Sequence, residues 1–229
     1  MNIVVIPARG GSKRIKKKNI REFCGKPMIA WPIEILRKSR LFDHIIISTD
    51  SREIAEISKS FGAEIPFMRP TEISDDYSGI GDVMEHAVKW MRNNDLKPSA
   101  VCCVYPTSVF LENGDLLKGL NELKSGEWHY VFSVTNFSYP IFRSFKRHSD
   151  GGVEMFFPEK LNYRSQDLPE VLHDAALFYW GKPEAWVKKY NIFDRYSYPI
   201  TIPNWRVKDI DTEDDLIHAE QMFSIIKNI

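Results

Sequence analysis

The amino-acid sequence predicts an α/β domain: a mostly parallel sheet flanked by helices, then a hairpin-rich excursion and a return to the sheet. Three observations lead there. Up to about residue 125, short apolar runs alternate with stretches of helical period, the pattern of repeated strand and helix units. The runs at residues 3–6 and 100–105 are apolar almost throughout, as in strands covered on both faces. From residue 136 the helical periods stop, and turns and aromatic residues take over.

The elements follow in order. A strand over residues 1–8 runs into a glycine-containing turn. Residues 27–40 carry Met28, Trp31, Ile35 and Leu36 at helical spacing, with Pro27 suited to a first turn. A second strand spans 44–48, and Asp50 or Ser51 caps a helix ending at residue 60. An extended piece at 63–68 ends at Arg69-Pro70. A helix over 81–93 leads to the strand at 100–105, which Pro106-Thr107-Ser108 terminates. A helix over 112–124 and a strand over 130–135 complete the regular part.

The excursion, about 136–173, turns at Asp150-Gly151-Gly152 and carries Phe137, Tyr139, Phe142, Phe145, Phe156 and Phe157. Rings exposed together would form a large apolar patch, which predicts pairing with a second copy of the chain; the alternative is that they fold back onto their own core. A strand at 175–180, a helix from Pro183 and a helix over 212–227 follow. Thr212 with Asp215 opens the last as a capping box.

With 229 residues, 43% of them hydrophobic, the chain can bury a full core, and the length predicts one domain over residues 1–229. Lys+Arg and Asp+Glu are equal at 31 each, which argues against a generic nucleic-acid binder and makes the N-terminal cations a local feature. Cys24, Cys102 and Cys103 fit reduced packing residues better than a disulfide or zinc framework. No apolar run approaches the ~20 residues of a bilayer span, and the N-terminal apolar run is short for a signal peptide; a cytoplasmic protein is expected.

Two segments carry chemistry. Arg9-Gly10-Gly11-Ser12-Lys13 leaves the carboxyl end of the first strand, where open α/β sheets place ligands. Its glycines allow a tight turn with N–H groups toward an anion, and Arg9 and Lys13 can reach phosphate oxygens. Neither a Walker A loop nor a dinucleotide fingerprint is present. Lys16 and Lys17 read equally well as a solvated basic run. Near the other end, Asp209-Ile210-Asp211 precedes the last helix, and a period of two turns both carboxylates to one side. Two hard oxygen donors suit Mg²⁺, while helix capping explains Glu213, Asp214 and Asp215. Asp75-Asp76 reads as a turn.

Taken together, residues 6–13 with Lys18-Asn19, Arg69-Pro70, residues 105–108 and Asp209-Ile210-Asp211 resemble the acylneuraminate cytidylyltransferases over nearly the whole chain. Within them, residues 24–30, Tyr105 and residues 163–169 leading to His173-Asp174-Ala175 look most like the pseudaminic acid branch. The resemblance implies a three-layer nucleotide-diphospho-sugar transferase fold with a dimerisation insertion, and CMP transfer from CTP to a nonulosonic acid with Mg²⁺. It assigns Ala8, Arg9, Gly10, Gly11, Ser12, Lys13, Lys18, Asn19, Arg69 and Ser78 to the nucleotide. Tyr105, Arg164, Gln166 and Asp174 fall to the sugar, Asp209 and Asp211 to the metal, and Arg9, Lys13 and Asp211 to catalysis. A homodimer without nucleic acid or membrane partners is implied. The chain departs from the usual pattern at Lys16, where the family has Pro, and at Leu177, where the pseudaminic branch has Gln. N-acetylneuraminate or legionaminate as substrate, a related octulosonate transferase, and a catalytically silent nucleotide binder stay open.

Overall fold

The computed structural model describes residues 1–227. In chain order its elements are β1 (Asn2–Pro7), β2 (Glu22–Phe23), β3 (Lys26–Pro27), α1 (Ala30–Ser39), β4 (His44–Ser48), α2 (Arg52–Ser60), α3 (Ile80–Asn93), β5 (Ala100–Val104), α4 (Asn113–Ser125), β6 (Tyr130–Asn136), β7 (Phe145–Arg147), β8 (Val153–Met155), β9 (Leu172–Gly181), α5 (Pro183–Val187), β10 (Ser197–Thr201) and α6 (Glu213–Lys227).

Six strands form the central sheet in the order β10-β6-β9-β5-β1-β4. β4, β1 and β5 pair in parallel, as do β6 and β10, while β9 runs against both its neighbours. This is the mostly parallel sheet expected. Alternate side chains of β1 leave on opposite faces. Val4 and Ile6 pack with Ile33 and Leu36 of α1, Ile54 of α2 and Leu120 of α4. Ile3 and Val5 pack with Met84 and Val88 of α3 and with Trp186 of α5. The sheet is therefore the middle of three layers.

A third apolar cluster matters more for function. Phe223, Leu216 and Ala219 of α6 pack on Ile15, on Phe23 of β2 and on Val109 and Phe110 after β5, with Ile210 fully buried among them. Burying side chains of this size contributes about 1.5–3 kcal/mol each. The cluster ties the first and last segments of the chain together.

Three local expectations change. Pro27 sits in β3, paired with β2, so α1 starts three residues later, with Ile29 at its N-cap. Residues 63–68 make a single bridge, Glu64 to Ile46, rather than a strand. β10 went unread: Tyr198-Pro199-Ile200 lacks a clean alternation, and β10 lies at the sheet edge, where a proline is tolerated. In the excursion, β7 and β8 form a hairpin whose turn places Gly151 at φ +93°, a conformation open to glycine. Phe137, Tyr139, Phe145 and Phe156 are exposed, whereas Phe142 and Phe157 pack edge to face at 5.2 Å. Among the described residues no helix is long and apolar enough to cross a membrane, and all three cysteines are free thiols.

Candidate active site

A cleft of about 510 Å³ opens at the carboxyl ends of β1 and β5, the edge where parallel sheets bind ligands. Pro7 and Tyr105, at or just past those strand ends, lie in its wall. β9 reaches the same edge for a topological reason. It is antiparallel, and Phe178 lies opposite Val104, the last residue of β5, so residues 174–177 overhang the strand ends. Asp174, Ala175, Ala176 and Leu177 thus line the same cleft as the cationic loop.

The loop after β1 supplies Arg9, Ser12, Lys13, Lys18 and Asn19 to the wall. Ala8, assigned to the nucleotide by resemblance, is fully buried, donates its N–H to the Ser48 carbonyl and does not line the cleft. Asn19, 5% exposed, donates from Nδ2 to the Arg9 carbonyl at 2.9 Å and so fixes the loop's course. The expected role of the glycines needs correction. Neither Gly10 nor Gly11 has positive φ, and the Gly10 N–H donates to Asp50 Oδ1 at 2.8 Å rather than staying open for an anion. What Gly10 provides is clearance, since a Cβ there would lie 3.1 Å from Ser51 Cβ; Gly11 faces open space. Lys16 is exposed and Lys17 pairs with Glu53, as a solvated run would.

Arg9 and Lys13 share one partner. Arg9 Nη1 donates to Asp76 Oδ1 at 2.5 Å and to the Asp75 carbonyl at 3.0 Å, and Lys13 Nζ donates to Asp76 Oδ2. These cations hold the Asp76 carboxyl below the ordinary carboxylate range, Lys13 first. Asp75 keeps the loop in shape by accepting from Ser78 Oγ and from the N–H groups of Tyr77 and Ser78. The loop read as a turn is one, and it also sets a carboxylate against the cationic pair. Arg69, 7% exposed, donates Nε to Ser48 Oγ and Nη2 to the Ser48 carbonyl, and it lines the cleft with Ser78.

The acidic segment arrives on the same side. Lys18 Nζ donates to the Ile210 carbonyl at 2.8 Å and to Asp211 Oδ1 at 3.0 Å, joining residues 192 and 193 positions apart. Arg14 Nη1 holds Asp211 Oδ2 at 2.8 Å. Ile210 packs in the third cluster as expected, but the two acids do not both face the cleft. Asp209 lines the cleft, whereas Asp211 is not one of its lining residues and is held by Arg14 and Lys18. Asp209 makes no hydrogen bond or ion pair among the described residues; partial burial, then Asp211, raises its carboxyl above the ordinary value. An unneutralised acid beside a second one is a donor set that fits a hard cation. No third acid, His or Cys joins them among the described residues, which suits Mg²⁺, since it completes its shell with water and phosphate oxygens. Behind the pair, the reciprocal bonds Thr212 N–H to Asp215 Oδ2 (3.0 Å) and Asp215 N–H to Thr212 Oγ1 (3.2 Å) form the expected capping box.

Asp174 and Tyr105 lie in the cleft, but Arg164 and Gln166 do not: they are exposed in the short turn of 3-10 helix at residues 165–167 and in the residue before it. Leu177, where a Gln was the usual residue, is 3% exposed and packs in the core. Sequence reading missed Arg14 and Lys208, which line the cleft, and Asp50 and Asp76, which contact the cationic loop.

Comparison with known proteins agrees with this architecture. The profile of the cytidylyltransferase family matches residues 3–197. The chain is 38% identical over 224 residues to the pseudaminic acid cytidylyltransferase of Campylobacter jejuni, covering 98% of this chain and 97% of that protein. It is 27% identical to the N-acylneuraminate cytidylyltransferase of Escherichia coli, over 93% of this chain and half of that protein. Among solved structures, CMP:2-keto-3-deoxy-manno-octonic acid synthetase complexed with CTP superposes with a TM-score of 0.71 at 14% identity, covering 98% of this chain and 99% of that one, a likeness of fold. With its family profile, near full-length relatives and three-layer sheet in agreement, the chain belongs to the cytidylyltransferase family of nucleotidyltransferases.

Proposed function

We propose that the protein transfers CMP from CTP to the anomeric hydroxyl of a nonulosonic acid, pseudaminic acid foremost, and releases pyrophosphate. The observation that carries this is the meeting of Arg9, Lys13 and Lys18 from the first 20 residues with Asp209 from the last 25 around one cleft, with Asp211 tied to the same cationic segment by Lys18 and Arg14. The pseudaminic acid cytidylyltransferases at 37–38% identity support the choice of sugar.

In this reading the triphosphate displaces Asp76 from Arg9 and Lys13, and Arg69 and Ser78 add donors on the nucleotide side. The sugar hydroxyl attacks the α-phosphorus, the bond from that phosphorus to the bridging oxygen breaks, and pyrophosphate leaves with the bonding pair. Such transfers depend mainly on positioning and neutralisation of charge, which Arg9 and Lys13 supply at the phosphates. Asp209, raised and without an ion pair, is suited to accept the hydroxyl proton; Asp211, held by Lys18 and Arg14, is the anchored member of the pair. Mg²⁺ held by Asp209 and Asp211 would polarise the phosphate oxygens.

The homodimer belongs to the same reading. Exposed Phe145 and Phe156 offer a second copy an apolar surface, and Arg164 and Gln166, outside their own chain's cleft, would reach sugar across that contact or after the excursion moves. The test of function is pyrophosphate release from CTP with purified pseudaminic, N,N'-diacetyllegionaminic and N-acetylneuraminic acids. Turnover highest with pseudaminic acid is expected; no release with any of the three would refute the reading.

A further inference from the structure

The sugar side of the cleft contains an acid that nothing neutralises. Asp174 lines the wall, yet among the described residues no Lys, Arg or His pairs with its carboxylate. Both oxygens are held by neutral donors instead. The Tyr179 hydroxyl donates to Oδ2 at 2.5 Å and the Ala176 N–H donates to Oδ1 at 2.9 Å. Tyr179 is itself 2% exposed; its ring stacks on Phe132 at 6.2 Å and meets Tyr105 edge on at 5.6 Å. A side chain packed this closely has one place for its hydroxyl. Ala176 reaches its position through a left-handed turn, φ +52°, so backbone and side chain are both shaped around the carboxylate.

A carboxylate oxygen has two acceptor sites, and one donor on each leaves the other for a ligand. Resting on the proposed function, we infer that Tyr179 is a positioning residue for sugar recognition: it locks Asp174 as an anionic acceptor that takes a neutral N–H or O–H of the sugar and turns the sugar's own carboxylate away. Like charges set side by side are strongly unfavourable, whereas the phosphate side of the cleft is rich in cations. The bound acid is thereby oriented with its neutral donors on β9.

Tyr179→Phe keeps the ring and removes the donor. Steady-state kinetics with CTP and the preferred nonulosonic acid should show KM for the sugar raised about tenfold, the loss expected for one bond to a charged group, with KM for CTP unchanged. Asp174→Asn should raise the same constant, and the double variant should be little worse than either single one. A Tyr179→Phe enzyme with altered thermal stability but unmoved sugar KM would overturn the inference, as would equal changes in both KM values. An inactive wild-type enzyme would instead remove the function on which it rests.

Discussion

Arg206→Met should cost more stability than any substitution among the exposed ion pairs, because it breaks a buried one. Arg206 is 5% exposed; Nη2 donates to Asp115 and to the Phe110 carbonyl at 3.2 Å, and Nη1 reaches Glu112 at 3.1 Å. Asp115, 7% exposed in the first turn of α4, pairs with no other cation among the described residues. Removing one partner of a buried pair costs about 3–5 kcal/mol, because the other charge stays buried and uncompensated. At roughly 2–4 °C per kcal/mol for a chain of this size, Tm should fall by about 6–20 °C in differential scanning calorimetry. Arg206 also anchors the segment that carries Asp209, so turnover well below Tm should fall too. Removing both partners, as in Arg206→Met with Asp115→Leu, should recover most of the stability, since an apolar replacement of a buried pair is close to neutral. A fall of less than about 2 °C for the single variant, or a double variant no more stable than the single, would refute the reasoning.

Three further outcomes are expected. Asp211→Ala should reduce turnover at least ~10²-fold, as loss of a group that organises catalysis does; near-normal turnover would take Asp211 out of the mechanism. Asp209 has a raised carboxyl in the folded protein, so its contribution favours folding below the ordinary carboxylate range and is lost as pH rises through the raised value. Asp209→Asn should therefore raise Tm near neutral pH but not near pH 3, while turnover falls; a Tm gain equal at both pH values would contradict this. Asp76→Asn should tighten binding of pyrophosphate measured by calorimetry, and the gain should shrink with added salt, because the freed cations Arg9 and Lys13 are partly exposed.

Much of this architecture was legible in the chain because it rests on local signals. Residues 3–6 announce a doubly covered strand, and Thr212 with Asp215 announces a helix start; both hold. In Asp209-Ile210-Asp211 the inward course of Ile210 was readable for the same reason, but not that Asp209 alone would line the cleft while Arg14 and Lys18 hold Asp211. What stayed hidden is set by contacts between distant residues. Asp76 reads as a turn residue because nothing near it in sequence says that Arg9 and Lys13, 67 and 63 positions away, share its carboxylate. The availability of the Gly10 N–H was misread for a similar reason: Asp50, 40 positions on, takes it. Pro27 has the composition of a helix start, but pairing of β3 with β2 outweighs it.

The central claim is that one nucleotide lies between the cationic loop and the acidic pair. A crystal structure with CTP and Mn²⁺ in place of Mg²⁺ tests it most directly, since the manganese can be located by its anomalous signal. The account predicts the triphosphate against Arg9 and Lys13, with Asp76 displaced and manganese between the phosphates and Asp209. A nucleotide bound elsewhere, or a metal site that involves neither Asp209 nor Asp211, would contradict it.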